Sequence, residues 1–185
     1  AVFGQYKFTS LPEFNAALKQ FNIVADRGKE EGRIYKNRGL VYRILDATGN
    51  KVGVPIKASD IGCKPILDNL EKKFVANEAA KESLKPFVKI KLDDWLSHSP
   101  STMKELMEQL KQKNIYTVLR QNAEGRLFGI TFVDNQNKVV FNGSDLGKGY
   151  SAAALQSKLV AGTEKSLNND ETKGGASGSS IQKEI

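Results

Sequence analysis

The 185-residue sequence predicts an α+β fold, made of two tandem helix-strand-strand-strand-helix units joined by a helical linker and followed by a disordered C-terminal tail. Three observations predict it. Residues 9–74 and 101–159 carry the same signals in the same order, each set opens on a capping box, and each reaches a Ser-Asp-aliphatic-Gly turn before a last amphipathic run. The first unit is expected over residues 1–76, the linker over 77–100, the second unit over 101–161 and the tail over 162–185.

The elements follow in chain order. Ser10-Leu11-Pro12-Glu13 is a capping box, in which the Ser side chain accepts from the third backbone N–H and the Glu reaches back; Thr102-Met103-Lys104-Glu105 matches it. Each box starts an amphipathic run, Phe14, Ala17, Leu18 and Phe21 in one unit and Leu106, Gln109 and Leu110 in the other, and each run ends in a Lys-Gln-x-Asn series at Asn22 or Asn114. β-rich stretches follow, residues 23–25 and 115–119. Polar breaks at Gly32-Arg33 and Gly125-Arg126 separate them from alternating strands that stop at Asp46 and Asp134. Turn residues at 47–50 and 135–137 lead to a third strand beginning at Lys51-Val52 or Lys138-Val139. Ser59-Asp60-Ile61-Gly62 then corresponds to Ser144-Asp145-Leu146-Gly147, and a closing helix carries Leu67, Leu70 and Phe74 or Ala152, Leu155 and Leu159. Any one match is weak, because capping boxes and Asx turns recur in unrelated chains; their shared order argues for duplication.

Units of this size are near the lower limit at which a core stabilises itself, so the two are expected to pack together. In the linker, Pro86 should end one helix, after which residues 87–96 offer a further apolar face with Trp95 as a packing residue. There is no long apolar run and no signal-peptide pattern, so no membrane insertion is expected. Cys63 stands alone, which excludes an internal disulfide; it reads as a small buried side chain near a helix start and fits a reducing, intracellular compartment. Residues 1–8 read as chain entering from something upstream, hence a fragment.

Lys and Arg number 28 against 21 Asp and Glu, a net charge of +7. The tail holds three Lys against four acids, a net of −1, which leaves +8 on the preceding residues. Such an excess favours a polyanionic partner, since cations near phosphates release condensed counterions. Arg27, Arg33, Lys36, Arg38 and Arg43 cluster in the first two strands and turns of the first unit, with Arg120, Arg126 and Lys138 at comparable places in the second. Lys57 and Lys64 flank the first Ser-Asp-Ile-Gly turn, and Lys148 follows the second. A strand that turns on glycines into a helix N-terminus can accept a phosphate; the simpler reading is that Ser and Asp cap a helix and Gly permits the turn. Neither Walker nor Rossmann spacing is complete.

His98 is the only histidine, which excludes a His-rich metal site or a paired-His nuclease site within the chain. No Gly-x-Ser-x-Gly elbow supports a Ser nucleophile, and Asp93-Asp94 would diverge on a helix rather than converge. Tyr35 and Tyr150 lack a visible metal or base to activate them. The chain therefore reads as noncatalytic, with no cofactor and no metal.

Residues 6–14, 39–42 and 49–59 resemble the region downstream of the nuclease domain in relaxase/mobilisation proteins of Bacteroides-type mobile elements. Residues 120–134 and 140–151 are similar to that family's ending, and the resemblance runs from about residue 3 to 159. It implies a plasmid or transposon relaxase, which nicks one strand at the origin of transfer with a Tyr nucleophile and a His-held metal. Those motifs belong to an amino-terminal domain with no counterpart here, and Asn135 stands where a His commonly follows Val-Asp. The resemblance thus implies a C-terminal accessory role in conjugative mobilisation in the bacterial cytoplasm, with DNA as partner. The alternative is a protein-interaction module that docks the relaxase to coupling or accessory transfer proteins through Phe87, Val88, Ile90, Trp95 and Leu96. The unit order is also that of double-stranded RNA-binding domains, and Gly147-Lys148-Gly149 before an Ala-rich helix is similar to their last helix, although most of their pattern is missing.

Overall fold

The structure, a computed structural model, describes residues 2–97 and 102–159. Expectations for His98 and for the tail at 162–185 fall outside these residues. The fold is mixed α+β with two three-stranded antiparallel sheets. The chain opens with a short helix, α1 (Val2–Gln5), and then α2 (Leu11–Lys19). Ser10 caps α2 by accepting from the Glu13 N–H at 3.4 Å, while the Glu13 carboxylate reaches back to the Thr9 N–H at 2.7 Å. Asn22 ends the turn after α2 in the left-handed region (φ 55°), a conformation that Asn tolerates better than most residues. Its carbonyl accepts from Leu45 N–H at 2.7 Å, which fixes where the first sheet starts.

That sheet is β1 (Ile23–Asp26), β2 (Val41–Leu45) and β3 (Lys51–Lys57) in sequential order. The expected polar break at Gly32-Arg33 is instead a helical turn, α3 (Arg33–Lys36), so the first unit has an element the helix-strand-strand-strand-helix description lacks. A bulge between Tyr42 and Ile44 takes up the extra residues of β3, with Gly53 at φ 71°. The outer edge of β1 is closed by the Asn15 side chain, whose amide accepts from Ala25 N–H at 2.7 Å and donates to Ala25 C=O at 2.9 Å, in place of a neighbouring strand.

After β3 comes α4 (Leu67–Leu96), 30 residues without a break. Pro86 lies inside it and does not end it, contrary to expectation. Leu84 and Val88 on either side pack into the second core, and that burial holds the helix through the one backbone donor the ring removes. The closing helix of the first unit and the linker are therefore one element, and a boundary at 76/77 falls within it.

The second half contains α5 (Met103–Gln112), β4 (Ile115–Gln121), β5 (Leu127–Asp134), β6 (Val139–Asn142), α6 (Gly143–Leu146) and a helix over 152–159, α7. Thr102 caps α5 through Glu105 N–H at 3.1 Å, and Asn114 (φ 60°) accepts from Asn135 N–H at 2.9 Å, as Asn22 does from Leu45. Alternation along the strands divides the second sheet between two cores. Ile115, Ile130, Phe132, Val139 and Phe141 face Trp95, Leu92, Leu106 and Leu110 from α4 and α5. Val118, Val133 and Val140 face Phe8, Phe14, Ala17 and Leu18 at the start of the chain. Lys7 adds a bridge to the β6 edge, its N–H donating to Lys138 C=O at 2.7 Å and its C=O accepting from Val140 N–H at 3.0 Å.

A buried polar cluster ties the halves together. Glu13 and Lys81, on α2 and α4, form a close ion pair at 1% and 5% exposure. Lys81 also donates to Thr9 Oγ1 at 2.9 Å, and Asn142 Nδ2 at the end of β6 donates to Glu13 at 3.2 Å. Three side-chain readings fail. Phe21 is 56% exposed rather than packed under α2, Cys63 is exposed rather than buried, and Val88 and Trp95 are buried, which removes both as partner contacts and leaves Trp95 in the packing role also expected of it.

Candidate nucleic-acid interface

Pairing in the first sheet sorts its side chains onto two faces. Tyr42 and Ile44 on β2 oppose Ile56 and Val52 on β3, whereas Val41 and Leu45 oppose Lys57 and Lys51. Arg43 shares the second face by alternation, and Asp26 joins it from β1 opposite Val41. One face is thus cationic at its ends and the other apolar.

On the cationic face, α3 and the loop after it lie beside the start of β2 and the end of β3. Arg33, Arg38 and Lys57 line one groove of about 750 Å³ there, with Gly39, Leu40 and the acidic Asp68 also in its wall. Arg38, in the left-handed region, is held by Asp68 at 2.9 Å and Glu71 at 2.5 Å, and these hydrogen bonds raise its guanidinium pKa. Arg33 and Lys57 are exposed and have no ion-pair partner among the described residues. At Gly39 a Cβ would stand 3.0 Å from the Ile34 carbonyl oxygen, so the loop passes close to the end of α3 there.

The other expected residues are placed separately. Arg27 stacks its guanidinium 4.0 Å over the Tyr35 ring, and Lys36 is exposed on α3. Arg43 lies 3.4 Å from Asp26, which also accepts from Lys51 at 2.7 Å. Burial alone would push the Asp26 carboxyl up, but Lys51, the Gly28 N–H and Arg43 outweigh it and hold it below the usual carboxylate range. Lys64 is exposed in the loop before α4. Arg120 lies along β5, where a Cβ at Gly129 would meet its Nε at 2.5 Å, and it lines a smaller groove of about 340 Å³ with Lys19 and Lys51. Arg126 is exposed in the β4–β5 turn, Lys138 sits 5.0 Å over the Tyr6 ring, and Lys148 is exposed beyond α6.

Neither Ser-Asp-aliphatic-Gly turn leads directly into a long helix whose N-terminus it could cap or present to a phosphate. The first is a single helical turn, Ala58–Asp60, well before α4 begins, and the second is the four-residue α6. Ser and Asp sit within these turns and hydrogen-bond each other rather than capping a helix. Gly143 is there for close packing, because a Cβ would fall 2.1 Å from the Tyr150 carbonyl oxygen. Tyr150 in turn donates to Asp93 at 2.5 Å; burial, then that carboxylate, push its phenol up to about 12.

Sequence reasoning missed Lys51, which shares Asp26 with Arg43, and the apolar face of the same sheet. Gly53 and Pro55 within β3 were the available signal, since both mark bulged or edge strands. Among the described residues no group of three or more His, Cys, Asp and Glu could hold a metal, and no helix is long and apolar enough to cross a membrane. Compared with protein-family models, curated proteins and solved structures, the chain has no match.

Proposed function

We propose that the chain is a noncatalytic accessory region of a conjugative mobilisation relaxase that binds or positions origin-of-transfer DNA. The observation that carries this reading is the groove where Arg33, Arg38 and Lys57 converge, with Arg33 and Lys57 free of ion pairs among the described residues. The resemblance over residues 3–159 supplies the DNA-processing context, and a bacterial cytoplasmic location goes with it. The two halves are read as copies of one unit on the strength of their matched Ser and Thr caps and left-handed Asn residues. The unequal placement of the cations assigns the phosphate contacts chiefly to the first.

Binding of the chain to origin-containing duplex, hairpin and single-stranded DNA should be measured across a salt series. Arg33→Ala and Lys57→Ala should each weaken binding to all sequences alike and lower the salt slope by about 1. Arg38→Ala should act less, because its two carboxylates already neutralise it. No binding at low salt, or unchanged slopes in both variants, would sink the reading.

A second reading, docking to coupling or accessory transfer proteins, keeps support from Phe87 and Ile90, which stand three residues apart on α4 at 57% and 66% exposure. Partners retained after nuclease treatment and lost in Phe87→Glu/Ile90→Glu would favour it over DNA bridging.

A further inference from the structure

The apolar face of the first sheet forms a groove with α1, α2 and the loop at 61–65. It has a volume of about 470 Å³ and is lined almost wholly by carbon. Its floor is Ile23, Ile44, Val54 and Ile56, and Phe21 stands at one side. Ile44, Val54, Ile56 and Phe21 are 55%, 87%, 51% and 56% exposed, a contiguous set rather than scattered surface side chains. In the second half the corresponding sheet has both faces covered, so this sheet lacks a layer that its counterpart has.

Charge and backbone select the occupant. No Asp or Glu lines the groove, while two of its aromatic walls carry ammonium groups: Lys138 lies 5.0 Å over Tyr6 and Lys73 lies 5.3 Å over Phe3. An apolar segment entering here therefore meets cations at its margin and gains from carboxylates of its own. Strand addition is disfavoured, because the β3 edge is bulged at Gly53 and Pro55 offers no N–H. An acyl chain is held by enclosure, and this groove lies open to solvent over Ile44, Val54 and Ile56. A helix laid across the face, with apolar side chains at i, i+3 or i+4 and i+7 reaching the floor, meets none of these objections.

We infer that the groove over Ile44, Val54 and Ile56 is a docking site for an acidic amphipathic helix of a partner protein. The site lies on the opposite face of the sheet from the cationic groove. Its occupation and DNA binding are therefore separable, and one can fail without the other.

The test uses the full chain and a displayed library of 16-residue helical peptides with fixed apolar positions and randomised flanks. Enriched clones should be acidic in the flanks, should lose at least tenfold in affinity for the Val54→Asp variant, and should lose affinity for Lys138→Glu. Val54 is exposed and Lys138 half-buried, and thermal melts matching the wild type establish that the variants are folded. The inference is overturned if no clone binds saturably, if enriched flanks are neutral or basic, or if Val54→Asp binds equally well. It is also overturned if sedimentation shows a dimer that Val54→Asp dissociates, which would make a second copy the occupant, or if anionic vesicles bind the groove while peptides do not.

Discussion

The two sheets share strand order and antiparallel pairing, yet they differ in what covers them. The sheet β4–β5–β6 has helices α4 and α5 on one face and the packed start of the chain on the other, so seven of the eight residues of β5 are buried. The sheet β1–β2–β3 has α2 over only part of one face, and no residue of β3 is buried. One arrangement of strands thus serves as an internal wall in one place and as a presented surface in the other. Stability should depend on the second sheet and ligand contacts on the first.

The largest effect that could break this contrast is in the second core. Phe132→Ala should cost about 3–5 kcal/mol by urea unfolding, whereas Val54→Ala should change stability by less than about 0.5 kcal/mol. Similar costs at both would show that the exposed face is buried in solution. Next is the polar cluster between the halves. Lys81→Met leaves the Glu13 carboxylate buried without its cation and should cost about 3 kcal/mol, with part recovered in the double variant Lys81→Met/Glu13→Gln. Full additivity in that double-mutant cycle would mean that the pair is not coupled.

Asn15→Ala removes both hydrogen bonds to the β1 edge and should cost about 1–2 kcal/mol. It should also shorten hydrogen-exchange protection at Ala25 while leaving β5 amides unaffected. The smallest effect is electrostatic. Asp26 has a lowered carboxyl pKa, so its stabilising contribution is present above the ordinary carboxylate value and disappears as pH falls through the lowered folded value. Asp26→Asn should flatten that acid limb by less than about 1 kcal/mol, because Arg43 and Lys51 are partly solvated. An unchanged limb would remove Asp26 from the account.

What the sequence revealed was local. Ser10 and Thr102 act through hydrogen bonds to a backbone N–H three residues on, and Asn22 and Asn114 through a left-handed backbone that their residue type tolerates, so these roles follow from residue type and spacing. Pro86 misled because its local tendency to stop a helix is overridden by burial of Leu84 and Val88 against residues distant in the chain. Arg38 looked as free as Arg33, yet the acids that hold it are 30 and 33 positions away. The apolar groove was hidden for a related reason: alternation shows that a strand has an apolar face, and only the tertiary fold shows whether anything lies on it. Ile44 and Phe132 are indistinguishable by pattern and differ by 55% against 1% in exposure.

Helix α4 has an implication for how this chain can vary. Its early residues Leu67 and Leu70 are buried, Leu70 in the first core, while Val88, Leu92 and Trp95 lie in the second. Across about 45 Å, a residue inserted between these anchors would advance one end by about 1.5 Å and turn it by about 100°. Either core would then lose its registry with the helix. Apart from Lys81, which is fixed by its buried pair with Glu13, the exposed positions between Leu70 and Val88 should therefore accept many substitutions but no change in length, so that the spacing of the buried positions is held more strictly than the identity of the exposed residues between them.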